Sequence, residues 1–177
     1  SDFFSWYPHN YTDIYDDLFF DRRIKLERVF ELGIGTNKAP NQRLIRTSKP
    51  GASLRVWKEY FPNAVIYGGD IDKKTMFSEN RIKTFLVDQT NEQSVKNMWG
   101  KIKINNFDII IDDGLHTFEA AKIFFENSFI KLKKNGYYFI EDIFHKDIYT
   151  YLNYFLKKKI RLKLFSIRNK NYQVDNN

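Results

Sequence analysis

Five short apolar runs punctuate this chain, at 28–32, 64–69, 84–87, 107–111 and 137–140, and each ends in an acidic residue or leads straight to one. Runs that are almost wholly apolar suit strands buried on both faces, since a strand with one wet face alternates apolar and polar residues. Between the runs lie longer amphipathic stretches at 53–61, 92–100, 117–132 and 146–158, each long enough to cross over between parallel strands. The alternation predicts an α/β fold with right-handed crossovers, a doubly wound, mostly parallel sheet carrying helices on both faces. A helix over 11–23 is expected to cover the sheet edge or the mouth of the site, with Tyr11, Ile14, Tyr15, Leu18 and Phe19 on one face. Residues 162–167, and then 172–174, read as closing strands.

At 177 residues, with no repeat or linker-like tract, the sequence predicts a single domain, with a helical cover over 1–25 and a core over 26–177. Its 42% hydrophobic and 18% aromatic content excludes a disordered or collagen-like chain. The absence of cysteine excludes a disulfide framework, a thiolate zinc site and a cysteine nucleophile, and leaves oxygen or histidine to hold any metal. That usage points to an intracellular, cytoplasmic protein. The formal charge of +7 favours anionic partners, but its lysines gather late, at Lys131, Lys133, Lys134 and from Lys157 to Lys163, without an aromatic-interleaved RNA motif. A solvated basic surface is expected there, and nucleic acid is not an expected partner. No apolar run approaches the roughly 20 residues that a membrane helix needs.

Ligands of open parallel sheets bind beyond the carboxyl ends of the strands, so the polar residues at those ends carry the functional signal. They are Glu31, then Gly33 and Gly35; Asp70 and Asp72; Asp88 and Gln89; Asp112 and Asp113; and Glu141 and Asp142. A dinucleotide fingerprint needs a third glycine at position 38, which is lysine, and would bring a pyrophosphate to a helix N-terminus. Glu31 beside the loop instead suits a cationic ligand. A ribose-bearing cation without phosphates fits better, with Asp70 placed to accept from ribose hydroxyls.

These residues resemble the class I methyltransferases that use S-adenosylmethionine, which implies a Rossmann-like fold. A narrower likeness follows from the segment Ser53 to Pro62 with Tyr67-Gly68-Gly69-Asp70, and from His9-Asn10-Tyr11, Asp88-Gln89-Thr90, Asp112-Asp113-Gly114-Leu115-His116 and Glu141-Asp142. Together these look like the magnesium-dependent sugar O-methyltransferases of the macrocin and mycinamicin type. Leu115 departs from that pattern, which has serine there. The resemblance implies that Glu31, Gly33, Gly35, Asp70, Asp88, Gln89 and Asp112 bind S-adenosylmethionine, and that Asp113, Glu141 and Asp142 hold the metal. Three hard oxygen donors without a thiolate suit Mg²⁺ or another hard divalent cation better than zinc.

Carboxylates converging from adjacent strands, about 5 Å apart, would repel one another, and a divalent cation removes that conflict. His116, past a glycine turn at the expected start of a helix, is the candidate general base, because a near-neutral imidazole suits removal of a hydroxyl proton. His9 matches the N-terminal motif, and His145 is expected at a helix start. The activity implied is O-methylation of a hydroxyl on a sugar or glycosylated small molecule, and the analogy suggests a homo-oligomer. The alternatives are a cofactor-binding subunit without turnover and a nucleic-acid methyltransferase.

Overall fold

The computed structural model describes residues 11–35 and 49–165. The first helix, α1, spans Thr12–Phe19 and passes into a 3-10 turn at Phe20–Lys25. Strand β1 (Arg28–Leu32) follows, then α2 (Ala52–Tyr60), β2 (Val65–Asp70), a two-residue β3 (Ser78–Glu79), β4 (Ile82–Leu86) and α3 (Glu92–Ile102). The rest is β5 (Phe107–Asp112), α4 (Phe118–Ser128), β6 (Leu132–Ile140) and α5 (Ile148–Lys157). All five expected strands and all five expected helices are present.

The sheet runs β3-β4-β2-β1-β5-β6, and every pairing is parallel except β3 with β4. The antiparallel β3 edge carried no sequence signal, because its two exposed residues bury nothing. Both faces of the sheet are covered, so successive residues of one strand enter different cores. Val29 packs with Phe19, Leu54, Phe61, Ile66, Ile109 and Ile111 beneath α1 and α2. Phe30 and Leu32 pack with Val95, Met98, Trp99, Ile110 and Phe124 beneath α3 and α4. A third cluster, Ala121, Phe125, Tyr151 and Phe155, joins α4 to α5.

Local signals set the helix ends. Asn91 Oδ1 accepts from Ser94 N at 3.0 Å to cap α3, and Lys103 closes it in a left-handed conformation, φ 57°. Helix α2 starts at Gly51, φ 74°. The helix expected over 117–132 stops at Ser128 and tightens into a 3-10 turn at Phe129–Lys131. His145 opens the 3-10 turn that leads into α5, as expected of a helix-start residue.

One expectation fails within the described residues. The strand read over 162–167 is absent from 162–165, which form no ladder and are exposed throughout, with Leu164 56% exposed. The apolar spacing there has no neighbouring strand to pair with, and without a ladder its backbone groups are better solvated by water. The remainder of that segment, and 172–174, lie outside the described residues, as does His9.

Candidate active site

Parallel register brings the strand ends into one crevice. Leu32 stands opposite Gly69 on β2 and opposite Asp112 on β5, and Asp112 stands opposite Ile140 on β6. The ladder continues one step past the strands, with Asp113 N donating to Leu32 O at 2.9 Å and Glu141 N to Asp112 O at 3.0 Å. The acidic residues that follow the strands are therefore adjacent in space although distant in sequence.

Glu31 shares its face of β1 with Val29 and lies under α2, only 3% exposed. Ser53 Oγ donates to its Oε1 and Trp57 Nε1 to its Oε2. Burial raises its pKa to about 7, against the lowering effect of those two hydrogen bonds, and the neighbouring Glu141 raises it further. A carboxylate in this setting is stabilised by an incoming cation. Beyond it, Gly33 (φ 86°) packs so tightly that a Cβ would lie 2.0 Å from the Asp113 carbonyl oxygen. Gly35 (φ 89°) instead has nothing within 4 Å of a Cβ position among the described residues.

Asp70 is buried at the end of β2, where its Oδ2 accepts from Ile34 N at 3.1 Å and its Oδ1 from Asp72 N at 2.8 Å. It thus ties the β1 loop to the β2 end, and each of its oxygens keeps a further lone pair. Asp72 caps the turn that follows, accepting from Lys74 N at 3.0 Å. Asp88 accepts from Thr90 N at 2.9 Å and Thr90 Oγ1 at 2.6 Å.

Gln89 bridges two strand ends. Its Nε2 donates to both Asp112 oxygens, at 2.7 and 2.9 Å, and its Oε1 accepts from Leu115 N at 2.9 Å. Burial raises the Asp112 pKa to about 7, opposed by the hydrogen bonds from Gly114 and Gln89. The Leu115 side chain is exposed, so its departure from the resembled pattern leaves this backbone contact in place.

Asp112 and Asp113 point to opposite faces, as strand alternation requires. Asp113, His116 and Asp142 bring one ligand atom each to within 4.8 Å of one another. His116 Nε2 lies 4.0 Å from Asp113 Oδ1, while its buried Nδ1 has no hydrogen-bond partner among the described residues. Both His116 (φ 57°) and Asp142 (φ 52°) occupy the left-handed region, an uncommon conformation that recurs at functional sites. Burial, followed by Glu141, Glu31, Asp142 and Asp112, raises the Asp113 pKa to about 9. This concentration of negative charge fits a divalent cation, whose binding would relieve it.

Glu141 adjoins this group without joining it. Its Oε1 accepts from the Tyr15 hydroxyl, and Asp142 Oδ1 accepts from that of Tyr11. Burial foremost, followed for Tyr15 by Glu141 and for Tyr11 by Asp142, raises both phenol pKa values well above the usual range, so both remain donors. Tyr15 is 4% exposed and packs on Trp57 and Phe139. Ser53 and Trp57, and likewise Tyr11 and Tyr15, are four residues apart, the spacing that puts two side chains on one helix face. Hydroxyls and an indole N–H on otherwise apolar faces were the signal that could have found them, because such groups need a partner when buried.

No protein-family model matches the chain. Among curated proteins, it is 33% identical over 138 residues to 8-demethyl-8-alpha-L-rhamnosyl tetracenomycin-C 2'-O-methyltransferase of Streptomyces olivaceus, covering 78% of this chain and 34% of that protein. It is 36% identical over 135 residues to demethylmacrocin O-methyltransferase of Streptomyces fradiae, covering 76% of this chain and 32% of the relative. The same identity and coverage hold for mycinamicin VI 2''-O-methyltransferase of Micromonospora griseorubida. The chain thus spans about a third of the length of these relatives. Among solved structures, the MycE methyltransferase of the mycinamycin biosynthetic pathway, in complex with Mg and SAH, matches with a TM-score of 0.63 and 35% identity, over 80% of this chain and 36% of that one. A second MycE structure that matches equally well also contains mycinamycin VI. In sequence and in its Rossmann-like fold, this chain is a homologue of the sugar O-methyltransferases of the macrocin and mycinamicin type.

Proposed function

We propose that this chain is the S-adenosylmethionine-binding and metal-binding part of an O-methyltransferase acting on a hydroxyl of a sugar or glycosylated small molecule. The observation that carries the reading is the convergence of Asp113, His116 and Asp142 to within 4.8 Å, one strand away from buried Glu31 and the open backbone at Gly35. S-adenosylmethionine would supply an electrophilic methyl, and a hard divalent cation would lower the pKa of the acceptor hydroxyls.

The chain's own residues bind and orient. Glu31 offers a buried negative charge to the cofactor's cationic end, with Gly33 and Gly35 letting the backbone approach it. Asp70 and Asp88 use their free lone pairs on ribose and adenine, while Gln89 fixes Asp112 behind them. Asp113 and Asp142 are the principal metal ligands, with Glu141 as a third carboxylate beside them. His116 removes the acceptor's hydroxyl proton as the methyl is transferred, so that no alkoxide has to form in water. Alignment of acceptor oxygen and methyl supplies the remaining acceleration. Assembly into a homo-oligomer belongs to the same reading.

Calorimetric titration with the demethylated product, with Mg²⁺ present, tests the first half. Binding is expected, and its absence would refute the cofactor reading. Methyl transfer to rhamnosylated and other glycosylated acceptors, followed by mass spectrometry, tests the second. Activity should require Mg²⁺ and vanish with Asp113→Asn; full activity in a chelator would refute the metal's role.

A further inference from the structure

The start of helix α1 reaches the carboxyl end of β6 from the far end of the sequence, and two hydrogen bonds join them there. Tyr15 donates to Glu141 and Tyr11 donates to Asp142, across separations of 126 and 131 residues. The Tyr11 hydroxyl does more than donate, because it also accepts from Asp142 N at 3.3 Å. One oxygen therefore contacts both the main chain and the carboxylate of a residue held at φ 52°, a conformation uncommon for residues other than glycine. That conformation is the one that brings the Asp142 carboxylate to Asp113 and His116.

We propose that Tyr11 and Tyr15 are positioning residues of the metal centre, and that docking of α1 and uptake of the cation are coupled through them. The inference rests on the metal reading proposed above and goes beyond it by assigning the N-terminal helix a part in building the site. A carboxylate has two oxygens, so one can accept from a tyrosine while the other faces the cation. Donors that hold a ligand's second oxygen reduce the number of orientations it must give up on binding, and partners of this kind typically contribute 10–100-fold to metal affinity. Tyr15 is itself held firmly. Its ring packs edge-on against Trp57 at 4.7 Å and against Phe139 at 4.8 Å, so its hydroxyl reaches Glu141 from a rigid base. Since Trp57 also donates to Glu31, the same packed aromatic group supports carboxylates at the ends of two separate strands.

The test is Mn²⁺ titration, with free ion read by electron paramagnetic resonance, on the whole chain and on Tyr11→Phe, Tyr15→Phe, the double variant and Asp113→Asn. The wild type should bind, Asp113→Asn should not, and Tyr11→Phe should bind about tenfold more weakly. A purely structural tyrosine would lower the melting temperature without changing that affinity. A second readout needs no variant: hydrogen exchange at the amides of α1 should slow when Mn²⁺ binds the wild type. Binding by both phenylalanine variants within twofold of the wild type, with no protection of α1, would overturn the inference and leave the metal reading standing. Absence of Mn²⁺ binding by the wild type would overturn both.

Discussion

Replacing Glu31 by glutamine should make the metal-free protein more stable at alkaline pH while weakening cofactor binding. Glu31 is buried with two donors on it, and its pKa is raised from 4.5 to about 7. A carboxyl whose pKa is higher folded than unfolded binds more protons in the native state, so stability falls as pH rises. Its contribution is intact below 4.5, declines through the interval, and is fully lost above about 7. At roughly 1.4 kcal/mol per unit, the loss is about 3 kcal/mol. Glutamine is never charged, and its carbonyl can accept from Trp57 while its amide donates to Ser53, whose hydroxyl can turn to accept.

Urea denaturation of wild type and Glu31→Gln, at several values between pH 4 and pH 8.5 and without metal, reads the difference directly. The curves should coincide near pH 4 and separate by about 3 kcal/mol at pH 8, roughly 6–12 °C in melting temperature for a chain of this size. Titrations common to both proteins cancel in the comparison. Glu31 also raises the Asp113 pKa, so its removal acts in the same direction there. A variant no more stable than wild type at pH 8, or a constant offset at every pH, would refute the account of a buried, uncompensated carboxylate.

Other expectations follow from particular contacts. Gly33→Ala should destabilise the fold by about 2–4 kcal/mol, combining overpacking with backbone strain, because its Cβ would meet the Asp113 carbonyl. Gly35→Ala adds strain alone, about 1–2 kcal/mol, and equal losses for the two in urea denaturation would contradict the packing. At the other end of β5, buried Asp108 accepts from Glu27 N at 2.8 Å, Arg28 N at 3.0 Å and Lys133 Nζ at 2.5 Å. Asp108→Ala should cost about 3–5 kcal/mol in stability, yet leave Mn²⁺ affinity unchanged when measured well below the melting temperature.

The five strands were legible because a doubly covered strand writes itself as a local apolar run, and the helices because their faces repeat over a few residues. The acidic strand ends were legible for the same reason: once parallel order is assumed, the residue after each run lies at one edge of the sheet. The edge strand β3 was not legible, since two exposed residues leave no pattern. At 162–165 the reverse occurred, with a pattern but no partner strand.

The site divides along the same line. Local sequence determined which side chains reach the crevice and, through strand alternation, that Asp112 and Asp113 face apart. Only the tertiary structure decided which of them meet. It brought His116 into the group with Asp113 and Asp142, set Glu141 beside that group under Tyr15, and made Tyr11 and Tyr15 hydrogen-bond donors to the two carboxylates after β6. Hydrophobic periodicity is a short-range signal, whereas those hydrogen bonds join residues 126 and 131 positions apart, whose meeting depends on the sheet order and on how α1 packs across it.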